Sequence, residues 1–269
     1  MNQTNHTMLI SGASGFIGRY IVEYSKLNNI EVLVVPPIDL GTSLFNDFIE
    51  QAVKDKGAES LSFVLASWAS TANNSYRSNL GNLEWPILIK FVTKTLENFS
   101  IPFIGLGSCM ELSTDFEDNY TKSKRMARDT LETSMENGSW AWLRLYYVFS
   151  AIEKRPNLVN SAIEAINDGS PIELWNSKKA HDFIAVEDVA TAVCTVILNN
   201  IRGDVDVGSG FLSSVENFIS AIFPKVKIVE STKSMGNDRS SYSLPANIEL
   251  LKKFGWGPNR TNEIILDTK

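Results

Sequence analysis

Seven residues near the amino terminus, Gly12-Ala13-Ser14-Gly15-Phe16-Ile17-Gly18, constrain this chain more than any other stretch. They follow a short apolar run, Thr7-Met8-Leu9-Ile10-Ser11, and lead into Tyr20, Ile21, Tyr24 and Leu27 at helical spacing. The reading is strand, tight turn, helix. In that setting the first glycine permits the turn, the second lets backbone approach a pyrophosphate, and the third allows close helix–strand packing. The helix N-terminus offers its unpaired N–H groups to the anion. Gly12, Ser14, Gly15, Phe16, Ile17 and Gly18 are therefore expected to cradle a dinucleotide. Glycines also punctuate ordinary turns, and it is the strand–turn–helix setting that favours the cofactor.

The rest of the chain supports that start. Apolar runs at 31–35, 61–66, 102–107 and 140–149 alternate with helical stretches at about 43–56, 79–98 and 119–137. Strands apolar on both faces, separated by helices, indicate a parallel sheet covered on both sides. The expected class is α/β: a Rossmann-like doubly wound parallel sheet with a small C-terminal α+β region that binds substrate. Residues 1–149 form the dinucleotide-binding domain, with 182–206 returning to it, and 150–181 with 207–269 form the smaller region. Within the latter, a helix is expected near 158–168 and another at 187–199, with an apolar segment at 181–186. Function should lie at the carboxyl ends of the strands.

Composition narrows the partners. The 269 residues carry 25 Lys and Arg against 31 Asp and Glu, a net charge of −6 that gives no long-range attraction for nucleic acid or anionic membrane. No apolar run approaches the length of a membrane span, and the N-terminus has no basic leader. Cys109 and Cys194 are too few for a disulfide framework and have no ligand-spaced partner, so no metal is expected and a cytoplasmic setting fits.

Nicotinamide choice is weakly encoded. Where NAD binders place an acid and NADP binders a cation after the second strand, this chain has Pro36-Pro37. Asp39, beside Leu40, either contacts the adenosine or caps the following helix. Arg19 either reaches a phosphate or is a solvated helix residue. The cofactor is NAD or NADP.

Tyr120-Thr121-Lys122-Ser123-Lys124 puts Tyr120 and Lys124 on one face of a helix. A neighbouring cation favours the phenolate and makes the tyrosine a usable proton donor near neutrality. Ser108 ends the preceding strand, where its hydroxyl can hold a substrate carbonyl. An ordinary surface ion-pair face would also explain Lys122, Lys124 and Arg125. The order of the three features, glycine turn, strand-end serine, Tyr–Lys helix, argues for a catalytic set.

In these motifs the chain resembles the extended branch of the short-chain dehydrogenase/reductase superfamily, the NAD-dependent epimerase/dehydratase family, which acts on nucleotide-activated sugars. The resemblance extends through Leu65-Ala66-Ser67, Asn82, Gly107-Ser108-Cys109-Met110-Glu111-Leu112, Leu143 to Phe149, Asp182 to Ala190, and Phe254-Gly255-Trp256. It implies catalytic roles for Ser108, Tyr120 and Lys124. It implies cofactor contacts from Leu65, Ala66, Ser67, Asn82, Tyr120, Lys124 and Tyr147, and substrate contacts from Ser108, Cys109, Met110 and Tyr147. His181 stands where relatives commonly have an arginine facing the sugar-nucleotide pyrophosphate; it is either a weaker phosphate contact or a strand-start residue. Arg239 is the better phosphate candidate, although an exposed arginine needs no function.

The departures suggest the reaction. Related 4,6-dehydratases place an Asp-Glu pair after the serine or threonine, and here Cys109-Met110 stand in those places. Related epimerase-reductases carry a cysteine two residues past the serine, whereas Cys109 is one past, which favours a packing role. The stretch from Ser113 to Asn119 is a stub compared with the longer loop of relatives. What is left is a minimal Ser/Tyr/Lys site. The expected activity is reduction of a nucleotide-activated 4-keto-6-deoxy sugar, a step toward deoxyhexoses of bacterial surface polysaccharides. A C4 epimerase that retains its NAD is the alternative, and a silent cofactor-binding sensor a third reading. The apolar helices carrying Trp85, Ile87, Leu88, Phe91, Val92 and Leu96, and Met126, Ala127, Leu131 and Met135, suggest a homodimer.

Overall fold

The computed structural model describes residues 6–68, 80–113, 118–135, 137–150, 158–174, 176–231 and 242–265. In chain order, β1 (Thr7–Ser11), α1 (Phe16–Leu27), β2 (Glu31–Val35), α2 (Ser43–Lys56) and β3 (Leu61–Leu65) lead to α3 (Trp85–Asn98), β4 (Phe103–Ser108), α4 (Asn119–Ser134) and β5 (Trp140–Leu145). Then follow β6 (Tyr147–Phe149), α5 (Leu158–Asp168), β7 (Ile172–Leu174), β8 (Ala180–His181), β9 (Phe183–Ala185), α6 (Val186–Leu198) and β10 (Gly203–Val207). The last elements are β11 (Ser213–Ser214), α7 (Val215–Ile222), β12 (Ile228–Glu230), α8 (Glu249–Lys252) and α9 (Asn259–Ile265).

Six strands form one parallel sheet in the order β10-β5-β4-β3-β1-β2. Every residue of β1, β3 and β4 is buried, because helices cover both faces. Alternation along β1 divides the core in two. Met8 and Ile10 pack with Val64, Ile104 and the α1 and α6 residues Ile21, Val189 and Val193. Leu9 faces the other way, against Phe63, Phe103, Trp142 and the α2, α3 and α4 residues Phe45, Ile49, Val92, Leu96, Ala127 and Leu131. Each such fully buried apolar side chain contributes about 1.5–3 kcal/mol before conformational entropy is subtracted. A third cluster, with Phe183 stacked on Phe218 at 3.9 Å, holds the C-terminal region.

The chain turns from β1 to β2 on one side and later to β3 on the other. That reversal opens a crevice over the carboxyl ends of β1, β3 and β4, where α/β sheets bind ligands.

Three expected elements differ. The single strand expected at 140–149 is two, because Tyr146 N donates to Val207 O at 3.1 Å and Tyr147 N to Asp182 O at 3.0 Å. The chain thereby leaves the sheet, and β6 pairs with β9. The helix expected from 79 begins, within the described residues, as a 3-10 turn at Leu80–Glu84. The α-helix starts only at Trp85, with Pro86 in its first turn, where a missing N–H costs nothing. The helix expected to reach 137 stops at Ser134, and Asn137 instead accepts a hydrogen bond from Ser139 N.

Candidate functional site

The glycine turn is built by close backbone approach. Gly12 has φ +92°, and a Cβ there would press on the backbone of Ala66 and Ser67. Ala66 N donates to Ser11 O at 2.8 Å, and the Ser11 and Ser67 hydroxyls lie 3.0 Å apart. The ends of β1 and β3 are therefore locked together. Gly15 is the N-cap of α1, with no side chain capping the helix and no acidic residue in its first turn. A Cβ on Gly15 would meet only the Gly12 carbonyl oxygen within 4 Å, at 3.2 Å.

Open space over an uncapped, uncharged helix N-terminus fits a pyrophosphate. Gly15→Val should fill that space while leaving an extended backbone that valine tolerates. We expect nicotinamide cofactor affinity to fall by roughly a hundredfold, about 2.7 kcal/mol, with an unchanged far-UV spectrum; calorimetric titration checks it. Ser14 and Gly15 are exposed beside this space, Phe16 and Ile17 half-buried. Arg19 lies exposed on α1, its guanidinium 5.8 Å from the Phe16 ring and 5.1 Å from the Tyr20 ring.

Beyond β2, Leu40 is buried in the core. Asp39 contributes its backbone carbonyl to Thr42 N and Thr42 Oγ1. The N-cap of α2 is Thr42, with no side chain capping the helix. Capping by the Asp39 carboxylate, one of the two roles open to it, is therefore not what the structure contains.

Ser108, Tyr120 and Lys124 converge at the end of β4. Ser108 Oγ accepts from Met110 N at 3.2 Å, and Ser108 N donates to Glu111 Oε1 at 2.6 Å, a reciprocal capping box over the 3-10 turn Cys109–Leu112. Asp118 caps α4 through Thr121 N at 2.6 Å and so sets Tyr120, half-buried, in the first turn. Lys124 is no surface cation: it is 4 % exposed, and its Nζ donates to Leu106 O at 2.7 Å and lies 5.7 Å from the Tyr120 ring. Burial lowers its pKa to about 7, against the opposing pull of Glu111. Arg125 turns the other way, donating to the Glu111 and Ser113 carbonyls.

Three residues join this cluster that residue-by-residue reading did not assign to it. Glu111, a buried carboxylate, accepts from Trp142 Nε1 at 2.8 Å; burial raises its pKa. The Ser-x-x-Glu spacing 108–111 is a legible capping signal for it. Trp142 fits because Gly105 and Gly107 of β4 leave it room. Trp68 follows β3 and lies over Lys124. Asn82, expected at the cofactor, accepts from Trp68 Nε1 at 3.0 Å and is buried.

The remaining candidates divide. Leu65 is buried in β3, with Ala66 and Ser67 half-buried at its end. Cys109 and Met110 are both buried, and burial pushes the Cys109 thiol pKa up; Cys109 packs in the core with Tyr146 and Trp256. His181 is buried and stacked on Tyr147 at 4.1 Å, with Nδ1 3.1 Å from the Tyr242 carbonyl. Tyr147 accepts from Tyr242 N at 3.0 Å, so the pair clamps the chain at residue 242. Arg239 lies outside the described residues. In the 182–190 run, Asp182 accepts from Ser209, Gly210 and Ala246, and Asp188 from Arg260 and Thr261. Asp188 thereby fastens α9 to α6, and Asp182 holds the segments around Ser209 and Ala246 together.

Residues 109–208 match the epimerase family described as "NAD dependent epimerase/dehydratase family". CDP-abequose synthase of Salmonella typhimurium is 23% identical over 280 residues, covering 94% of this chain and 93% of that protein. The structure of UDP-N-acetylglucosamine 4-epimerase from Methanobrevibacter ruminantium M1, in complex with UDP-N-acetylmuramic acid, superposes with a TM-score of 0.75 at 16% identity. It covers 98% of this chain and 97% of that one. A dTDP-4-dehydrorhamnose reductase from Clostridium acetobutylicum gives a TM-score of 0.74 at 15% identity, covering 97% and 98%. The family resemblance carried by the motifs and the expected Rossmann-like sheet are both borne out: residues 109–208 match the NAD dependent epimerase/dehydratase family, and the chain as a whole shares the fold of these solved structures.

Proposed function

We propose that the chain is an NAD(P)-dependent reductase of a nucleotide-activated 4-keto-6-deoxy sugar. The observation that carries this reading is the environment after Ser108. Cys109 and Met110 are buried, and Glu111 is turned inward onto Trp142 and the Ser108 N–H. Among the described residues no acid/base pair adjoins the serine to eliminate water, and Ser108, Tyr120 and Lys124 suffice for ketone reduction. The nicotinamide, when bound, supplies a hydride to the ketone carbon. Ser108 donates a hydrogen bond to the ketone oxygen and orients it. Tyr120 delivers its phenolic proton to that oxygen, giving the alcohol, and is reprotonated from solvent. The Lys124 ammonium stabilises the phenolate left behind. The relative named for CDP-abequose and the fold neighbour named as a 4-dehydrorhamnose reductase agree with a nucleotide-linked sugar. Residues 150–181 and 207–269 are assigned to the sugar side.

The test is nicotinamide absorbance with NADH or NADPH and a panel of CDP-, dTDP-, UDP- and GDP-linked 4-keto-6-deoxy sugars. Stoichiometric cofactor oxidation supports the reductase. Sugar turnover without net oxidation would replace it by the C4 epimerase, and binding without turnover by the silent sensor.

The same reading takes the protein as a cytoplasmic homodimer. Among the described residues no helix is long and apolar enough to cross a membrane. Of the apolar residues on α3 and on α4 with its C-cap Met135, Val92, Leu96, Ala127, Leu131 and Met135 are consumed inside the subunit, whereas Ile87, Phe91 and Met126 are 62%, 58% and 42% exposed. Light scattering at micromolar concentration should give twice the chain mass, falling toward one chain in Phe91→Glu.

A further inference from the structure

Lys124 lies in a three-sided aromatic enclosure. Its Nζ is 3.3 Å from the Trp68 ring centroid, 5.7 Å from that of Tyr120 and 5.8 Å from that of Trp142. Two of the walls belong to rigid structure. Trp142 is fully buried in the sheet, and Tyr120 stands one turn before Lys124 on α4. Trp68 comes from the connection after β3, and it is held twice. Its ring stacks on Trp85 at 5.0 Å with 15° between planes, and its Nε1 donates to Asn82 Oδ1. Asn82 itself is buried.

A lysine has a flexible four-carbon stem, and a strand carbonyl at one end of its reach does not by itself keep the ammonium beside the phenol. A braced indole face does, by cation–π attraction that strengthens out of water. Among the described residues the titratable groups around Lys124 are Glu111, from the turn after β4, and Tyr120 on its own helix; Arg144 of β5 acts on Glu111 from beyond.

We propose that Trp68, braced by Trp85 and Asn82, is a positioning residue that presses the Lys124 ammonium against the Leu106 carbonyl and so keeps it within reach of the Tyr120 ring. This rests on the reading of Tyr120 and Lys124 as the proton-transfer pair. Trp68 acts through Lys124, and its removal should change the charge state of the lysine as well as its place.

The direct measurement is NMR of the cofactor-free protein labelled with 13C,15N-lysine. One lysine Cε–Nζ signal should be displaced upfield by the indole ring current and titrate near pH 7, where burial places the Lys124 pKa; the signal should be missing in Lys124→Met. In Trp68→Leu the displacement should vanish and the midpoint should fall by roughly one pH unit, since the ammonium loses its cation–π partner. Trp68→Phe keeps an aromatic face and should restore most of both, which keeps the proposal testable if the leucine variant does not fold. An unmoved signal in Trp68→Leu, a midpoint that rises, or a Trp68→Phe signal that has lost its displacement altogether overturns the proposal.

The kinetic arm uses the keto-sugar assay. The loss of turnover toward alkaline pH should begin about one unit lower in Trp68→Leu, with kcat down roughly tenfold and KM little changed. If the wild type reduces no keto sugar while the NMR result holds, the activity reading fails and the positioning role stands.

Discussion

Tyr120→Phe should lower keto-sugar reduction by a factor on the order of a hundred or more, with cofactor affinity nearly unchanged. The hydroxyl is the only group removed, and it belongs to a half-buried ring in the first turn of α4, a turn that Asp118 caps through Thr121 N. Fold and pyrophosphate site should therefore survive. Without the phenolic proton, oxygen must be protonated by water or by Ser108, and the developing alkoxide loses its acid at the moment of hydride transfer. The comparison to make is kcat for the variant against kcat for the wild type at saturating cofactor, beside a cofactor titration. A variant with near-normal turnover would mean that the proton comes from another group.

Lys124→Met should move activity and stability in opposite directions. The unfolded lysine holds its proton to an ordinary value near 10.5, whereas burial lowers the folded value to about 7. Between those two values the unfolded chain binds more protons, so wild-type stability rises with pH across that window. Below about pH 7 both states are charged and the full desolvation cost is borne by the folded one. Methionine has the length of the stem without the charge, and should stabilise the fold at pH 6 by about 1–2 kcal/mol. The gain is reduced by the lost bond to Leu106 O and by leaving Glu111 with one cation fewer nearby. The advantage should shrink as the pH rises toward 10, because the wild-type lysine is then neutral when folded. Thermal melts at pH 6 and pH 9 measure it, and turnover should be lost at both. Equal melting shifts at the two pH values would mean that Lys124 carries no buried charge. Such a stabilising loss of activity is expected where a buried cation serves chemistry.

Much of the architecture was legible because it is local and periodic. The run Thr7–Ser11 followed by Gly12 to Gly18 declares a strand and a helix N-terminus within a dozen residues, and the turn that formed has Gly12 at positive φ and Gly15 at the cap. Val92 and Leu96, or Ala127 and Leu131, declare a helix face in the same way. Tyr120 and Lys124 were legible as neighbours because a helix puts residues four apart together whatever surrounds it.

The surroundings were decided by the tertiary structure alone. That Lys124 is buried, and that its ammonium lies between Trp68 and the Leu106 carbonyl, depends on β3, β4, β5 and α4 meeting at one point, with Gly105 and Gly107 making room for Trp142. No spacing along the chain encodes a meeting of residues 68, 106, 111, 124 and 142. Asn82 and His181 show the same division. Each sits in a recognisable place, yet the first is spent on the Trp68 indole and the second is stacked on Tyr147 beside the Tyr242 carbonyl, because a buried polar group must take whatever partner the packed fold brings to it. The amino-acid sequence by itself determined the strands, the helices, the glycine turn and the pairing of Tyr120 with Lys124, since backbone sterics and side-chain periodicity act over a few residues. The dielectric around the lysine, the inward turn of Glu111 and the bracing of Trp68 were decided only when distant segments packed, since burial and electrostatics depend on every element that excludes water from the site.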